Sequence, residues 1–369
     1  MSYMAEALAL ARKGQALATP NPMVGAVVVR DGRVVGRGFH TWEGLKHAEI
    51  LALEEAATSG KDAARGATVY VTLEPCSHSG RTPPCVDALI AAGVAKVVAA
   101  SGDPNPLVAG EGFSKLRAAG VQVEIAAEFQ AEAEKLNEPF FHFIRTGRPL
   151  LTLKAALTLD GKIAAPEDNT GWITSERARA HVQELRHAAD AILTGIGTAL
   201  ADDPLLTDRT GLPRARPLLR VVLDSTLRLP LESRLAQSAQ NDLIVVGTSA
   251  ASAERRRALE QRGIEVKIFD GPRGRVDIRD VVSMLGERKC LSVLMEAGSK
   301  VNWAVLESGA VDKVYLYYAP KILGGLASLP MAGGIGRMRR EDAIVLERTE
   351  VHMIPPDEFA VEAWVRKNS

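Results

Sequence analysis

Two α/β domains in tandem are predicted by three observations. The chain has 369 residues, 46% of them hydrophobic, enough to bury two ordinary cores. Strand-like and helix-like patterns alternate along it, as in sheets covered by helices. A Gly/Pro break at Thr146-Gly147-Arg148-Pro149 interrupts that alternation, so the expected domains are residues 1–146 and 147–369.

The first domain opens with an amphipathic helix over roughly residues 3–17. Residues 24–30 and 33–40 read as two strands, and Asp31-Gly32 between them is a type I′ hairpin signal. A helix over 47–57 stops before Gly60, and a buried strand covers 67–73. The next helix begins near Cys76 or Pro84 and closes at Gly93. Residues 95–101 and 121–125 continue the sheet. Phe140, Phe141 and Phe143 cluster before the break and read as packing residues rather than a platform for stacked bases.

The second domain starts with a strand from residue 150 that runs into an Asp160-Gly161 turn, and a helix is expected over 175–189. Residues 221–225, 243–248, 311–319 and 358–365 read as strands, with Val314, Leu316 and Tyr318 on one face. Leu323-Gly324-Gly325 and the Gly-rich 332–336 read as loops.

Charge and cysteine content exclude several classes. Lys plus Arg equals Asp plus Glu at 45 each, so no basic block advertises nucleic acid. The N-terminal segment carries Glu6, Arg12 and Lys13 with no long apolar run, unlike a signal peptide, and no stretch is long enough to span a bilayer. A third cysteine, Cys290, has no obvious disulfide partner once the other two are given to a metal, so a cytoplasmic enzyme is expected.

The chemistry is concentrated in His47-Ala48-Glu49, Glu74-Pro75-Cys76 and Cys85. His47, Cys76 and Cys85 make three zinc ligands, whereas a closed structural site wants four. A three-ligand site leaves a position for water. Glu49, two residues after His47, is placed to shuttle protons without coordinating the metal. His-x-Glu followed by Pro-Cys is the pattern of the zinc deaminases. Helix starts at His47 and Cys76 would favour a thiolate through the positive dipole end. The bland reading makes His47 a helix cap and the cysteines small buried hydrophobes.

Cys76 and Cys85 are separated by eight residues, Ser77 to Pro84, instead of the usual two. That insertion resembles the loop of the bifunctional deaminase/reductase family of riboflavin biosynthesis. The resemblance extends to Thr19-Pro20-Asn21-Pro22-Met23-Val24-Gly25, Asp103-Pro104-Asn105-Pro106, Thr170-Gly171-Trp172-Ile173-Thr174, Thr194-Gly195-Ile196-Gly197-Thr198 and the run from Ala201 to Arg209, and so covers essentially the whole chain. It implies a cytidine-deaminase-like three-layer domain followed by a dihydrofolate-reductase-like domain. It also implies one zinc per subunit in the first and NADPH in the second. The implied substrates are pyrimidine ribose phosphates, deaminated at the carbon bearing the 2-amino group and then reduced at C1 of the ribosyl group. Late strands in this family contribute to a subunit contact, so a homo-oligomer, dimer or tetramer, is expected.

The resemblance assigns the deaminase substrate to Asn21, His40, His78, Arg81, Asp103 and Asn105. It assigns the cofactor to Ala156, Trp172, Thr198, Asp202, Ser225 and the segment beginning at Gly298, and the reductase substrate to Lys154, Thr170, Arg186, Leu206, Arg209 and Glu296. Thr170 departs from the serine common in the family but keeps the hydroxyl. Asparagine offers a donor and an acceptor to a pyrimidine edge, and paired arginines such as Arg186 and Arg209 suit a phosphate. Each also has an ordinary reading: Asp103-Pro104-Asn105-Pro106 as a turn, His40 as a surface histidine, Arg186 as a solvated charge, Trp172 as core. No Gly-x-Gly-x-x-Gly follows a strand in the second half, so a dinucleotide there rests on the resemblance alone. Lys154, Asp202 and Glu296 remain unranked as the group that polarises or protonates the reduced centre.

Two rival readings belong to other classes. A nucleic-acid base deaminase would carry a basic channel with aromatics, which the balanced charge opposes. A non-catalytic zinc module would need a fourth ligand, for which His78 is the candidate.

Overall fold

The computed structural model describes residues 2–80, 82–106, 108–167 and 171–367. They form two compact units, residues 1–147 with 213–216 and residues 148–212 with 217–369.

The first unit is built on a five-stranded sheet of order β2-β1-β3-β4-β5. Its strands are β1 (Gly25–Arg30), β2 (Arg33–Phe39), β3 (Thr68–Val71), β4 (Lys96–Ala99) and β5 (Gln122–Ile125). β1 is antiparallel to β2 and β3, and β3, β4 and β5 run parallel. The hairpin forms as expected, with Asp31 and Gly32 both at positive φ, 50° and 71°, as a type I′ turn requires.

Alternation along β1 separates two cores. Ala26 and Val28 face one, and Val27 and Val29 the other. α1 (Tyr3–Arg12), capped by the Ser2 hydroxyl, covers the Val27 side, where a Cβ on Gly25 would collide with the Ala7 carbonyl. α1 ends five residues short of the expected 17, because the chain turns through Gly14 and a left-handed Ala16.

On the opposite face lie α2 (Ala48–Thr58), α3 (Cys85–Ala91) and α4 (Glu111–Ala118). α2 presents Ala48, Ala52 and Ala56, one turn apart, to β2. A Cβ on Gly36 or Gly38 would strike the Ala52 or Ala48 carbonyl, so helix and strand pack backbone to backbone. The unit closes with α5 (Gln130–Leu136) and α6 (Glu138–Thr146), which has Pro139 in its first turn and ends on left-handed Gly147. The Phe140–Phe143 segment is therefore helical, and Phe141 is its buried member.

The second unit has a nine-stranded sheet of order β11-β10-β9-β8-β12-β6-β13-β16-β15. Here β6 is Leu150–Thr158, β8 Ala191–Gly195, β9 Leu219–Leu223, β10 Leu243–Gly247, β11 Glu265–Ile268, β12 Ser292–Met295, β13 Lys313–Ala319, β15 Leu346–Ile354 and β16 Glu358–Val365. The strands from β11 through β13 are parallel; β16 and β15 complete the edge antiparallel. The short strands β7 (Lys162–Ala164) and β14 (Leu329–Pro330) pair separately.

α11 (Ile278–Glu287) and α12 (Ser299–Glu307) pack on the face of β6 that carries Leu151, Leu153 and Leu157. The other side is covered by α7 (Glu176–Ala188), α8 (Ile196–Asp202), α9 (Arg234–Gln237) and α10 (Ala253–Gln261). Val314, Leu316 and Tyr318 share one face of β13, while Tyr315 and Tyr317 point to the α7 side. Among the described residues no helix is long and apolar enough to cross a membrane.

Candidate active sites

In the first unit the backbone seam between α2 and β2 fixes the start of α2, and His47 is its N-cap. Cys85 is the first residue of α3, directly after Pro83-Pro84. Cys76 lies in the turn following β3, so it is Cys85 and not Cys76 that sits at a helix start. Two consecutive prolines disfavour helix before residue 85, and this delays α3 to the end of the insertion.

The ligand atoms of His47, Cys76 and Cys85 all lie within 4.8 Å of one another. His47 Nδ1 is 3.1 Å from Cys85 Sγ and 3.5 Å from Cys76 Sγ, and the Cys85 N–H donates to Cys76 Sγ at 3.3 Å. Hydrogen bonding from the Cys85 thiol, aided by His47, holds Cys76 down to about 4, and the same bond together with burial pushes Cys85 far up. One imidazole nitrogen and two sulfurs converging on a point suit zinc. His78 does not belong to this close set, so among the described residues it remains a three-ligand arrangement.

Glu49 is only 3% exposed, and burial raises its carboxyl above the usual range. His40, also 3% exposed, is no surface histidine. Its Nδ1 is 2.9 Å from the Lys46 carbonyl, so that nitrogen donates, and Nε2 accepts from Asn21 Nδ2 at 2.9 Å. The His40 ring meets that of His47 edge-on at 5.3 Å.

Cys76, His78 and Asp103 line one small hollow with Glu74. Asp103 Oδ1 accepts the Asn105 N–H at 2.8 Å, so Asp103 both makes the turn and faces the site. Burial is the main influence raising its carboxyl. Arg81 lies outside the described residues.

Sequence reasoning gave no role to Glu74, which is 6% exposed. Its Oε2 accepts from the Asp103 and Gly110 N–H groups at 3.1 and 3.0 Å, and its Oε1 from Gly112 and Phe113 at 2.9 and 3.2 Å. A carboxylate placed at the end of a buried strand demands partners, and that was the available signal.

In the second unit the expected residues gather at the carboxyl ends of parallel strands, where open α/β sheets bind ligands. Thr198 and Asp202 are on α8 after β8, Ser225 follows β9, and Glu296 and Gly298 follow β12. Lys154 and Ala156 lie on one face of β6, opposite Tyr315 and Tyr317 of β13 in register.

Lys154, Arg186 and Glu296 come together. Arg186 Nε and Nη2 reach the two Glu296 oxygens at 2.6 and 3.1 Å, and Lys154 Nζ is 3.3 Å from Oε2 and 5.9 Å from the centre of the Tyr317 ring. Burial alone would raise Glu296, but Lys154 and Arg186 outweigh it and hold the carboxyl at about 2. Arg186 also donates to the Thr207 carbonyl, so its guanidinium is already largely engaged.

Arg209 is exposed on the adjoining loop, which is held to α7 by its own N–H to Gln183 Oε1 and by the His187–Asp208 pair at 2.7 Å. Leu206 is buried at a left-handed φ of 53°. Asp202 keeps an exposed edge, and partial desolvation raises its carboxyl. Trp172 is 69% exposed, with the Arg179 guanidinium 4.9 Å from its ring, so it is not core. Thr170 lies outside the described residues.

A dinucleotide fits the start of α12. Gly298 caps it without a side chain, and Thr198 Oγ1 would lie 3.5 Å from a Cβ there. Ser299 Oγ is buried without a hydrogen-bond partner among the described residues. First-turn N–H groups beside an unsatisfied hydroxyl are suited to phosphate oxygens.

The family described as RibD C-terminal domain matches residues 149–355, more than half of the chain. The chain belongs to the RibD family. Residues 1–101 match the family described as cytidine and deoxycytidylate deaminase zinc-binding region. A riboflavin biosynthesis protein RibD from Actinobacillus pleuropneumoniae is 42% identical over 97% of this chain and 93% of its own length. Among solved structures, Acinetobacter baumannii RibD (form 1) superposes with a TM-score of 0.86 at 34% identity, covering 99% of this chain and 98% of that one. A diaminohydroxyphosphoribosylaminopyrimidine deaminase/5-amino-6-(5-phosphoribosylamino)uracil reductase from Thermotoga maritima does so with a TM-score of 0.83 at 36% identity and the same coverage. The fold expected from the sequence stands: a cytidine-deaminase-like domain followed by a RibD reductase domain of the dihydrofolate-reductase type.

Proposed function

We propose that the chain carries out two consecutive steps of riboflavin biosynthesis. The first is hydrolytic deamination of 2,5-diamino-6-(5-phosphoribosylamino)pyrimidin-4-one. The second is NADPH-dependent reduction of the ribosyl group of 5-amino-6-(5-phosphoribosylamino)uracil to ribityl. The observation that carries this reading is the buried Glu49 beside converging His47, Cys76 and Cys85, in a chain related to RibD proteins over its whole length. We assign deamination to residues 1–146 and reduction to 147–369.

In the first half His47, Cys76 and Cys85 hold zinc, which when bound supplies the Lewis acidity that makes a water acidic near neutral pH. Glu49, with its carboxyl raised by burial, takes a proton from the attacking water and returns it to the departing ammonia. Asn21, oriented by His40, keeps its carbonyl oxygen for a donor on the pyrimidine. His78 and Arg81 take the ribose phosphate, and Asp103 and Asn105 close the other side.

In the second half Ala156, Trp172, Thr198, Asp202, Ser225 and the Gly298 segment would hold NADPH, which would supply hydride for C1 of the ribosyl group. We assign the substrate phosphate to Arg209, and Thr170 and Leu206 to the same substrate. Arg186 contributes mainly by holding Glu296. Glu296, its carboxyl held low by Lys154 and Arg186, suits the acid role less than Lys154, with Asp202 second, and we assign the reduced centre to them in that order.

The balanced charge supports small-molecule substrates over nucleic acid, and three free cysteines suit a reducing cytoplasm. The exposed Val351 and Met353 on edge strand β15 support a homo-oligomer. The decisive experiment incubates the chain with the diaminopyrimidine phosphate, with and without NADPH, following ammonia and NADPH oxidation separately. Ammonia should appear in both arms, and NADPH should be consumed only after deamination. Absence of either activity refutes the corresponding half of the assignment.

A further inference from the structure

We propose that Glu74 is a positioning residue for deamination: it fixes the 103–113 segment, which bears substrate contacts, against the turn that bears Cys76. The inference rests on the deaminase reading above. Glu74 acts through backbone and does not touch the reacting atoms.

α4 begins at Gly110, which has no side chain to cap it. The N–H groups of Gly110, Gly112 and Phe113 are taken instead by a carboxylate 36, 38 and 39 residues earlier, and the same carboxylate takes the Asp103 N–H. A negative charge at a helix start is favourable wherever it comes from, and a side chain at 110, where φ is 82°, would be strained. Only a residue on the Cys76 turn also locks α4 to that turn.

Two further observations show the same junction. A Cβ on Gly112 would collide with the Pro75 carbonyl, so the two backbones are in direct contact. Lys115 of α4 donates to the Ser77 carbonyl at 2.7 Å. The turn 74–78 is therefore joined to Asp103 and to the start of α4 at several points, with Asp103, His78 and Cys76 on the hollow between them. A substrate whose ring reaches the Cys76 side while its polar groups meet Asp103 and Asn105 has its reach set by this junction.

Glu74→Gln replaces one acceptor oxygen by an NH2 group. Whichever way the amide turns, two of the four N–H groups then face a donor. The test uses the full chain loaded with zinc, measuring metal content, KM and kcat for ammonia release, and reduction of already deaminated substrate. A loosened substrate segment predicts a KM raised roughly tenfold or more with kcat within about threefold, because binding geometry and not the proton shuttle is altered. Zinc content and reduction should be unchanged. Glu74→Asp, which keeps the charge one methylene further back, should give an intermediate KM, and it carries the test if the glutamine variant does not fold.

A KM unchanged in both variants, or a loss of zinc that accounts for all lost activity, overturns the proposal. Failure of the unaltered chain to release ammonia is a separate result and would instead remove the deaminase reading.

Discussion

Replacing Glu296 by glutamine removes the only negative charge from a cluster of three and leaves Lys154 and Arg186 without their shared partner. All three side chains are 13% exposed, so solvent screens the loss little. The Glu296 carboxyl is held at about 2 against an ordinary 4.5, and at about 1.36 kcal/mol per pH unit that difference is worth about 3 kcal/mol. The folded-state value is depressed, so this stabilisation is fully present above pH ~4.5 and is lost as pH falls through ~2. Glu296→Gln should therefore lower the stability of the second unit by about 3 kcal/mol at pH 7 and by roughly half of that or less at pH 3. Urea unfolding at the two pH values, followed by fluorescence, measures both losses. A deficit under about 1 kcal/mol at pH 7, or one that does not shrink at pH 3, would refute the claim that the two cations hold this carboxylate ionised.

The remaining predictions concern the two chemistries. Glu49→Gln should cut ammonia release by a factor of ~10² or more with zinc retained and with normal reduction of deaminated substrate; loss of both activities in a folded, zinc-loaded variant would show that the two sites are not separate. Cys76→Ser should lose zinc and ammonia release together, and a metal-free variant that still deaminates would dismiss the ligand set. Arg209→Ala should raise the reductase KM by roughly 10- to 100-fold, the equivalent of losing a charge-assisted bond of about 1.5–3 kcal/mol. An unchanged KM would free Arg209 from the phosphate role.

Local signals were the legible ones. The β1–β2 turn is encoded in two adjacent residues that tolerate positive φ, and the metal ligands are identified by residue type and order. The insertion between Cys76 and Cys85 hid which cysteine begins α3, because that depends on where an eight-residue loop lets the chain turn into helix. The Glu74 junction was illegible for a different reason: its partners are backbone N–H groups, which carry no signature in side-chain identity. Arg186 looked like a solvated helix charge or a phosphate ligand because the residue that claims it, Glu296, is 110 positions away. Trp172 stands 69% exposed, against the ordinary preference of tryptophan for burial, so residue type alone did not foretell its place.

The seam between α2 and β2 has a consequence for how such an enzyme can diversify. Where alanines rest on glycines there are no rotamers to redistribute and no flexible atoms to absorb a change, so the seam behaves as a mechanical stop. His47 and Glu49 project from the end of that stop. Their spacing is thereby set by the helix–strand seam itself, so a change in the loops around it has no direct lever on the distance between them.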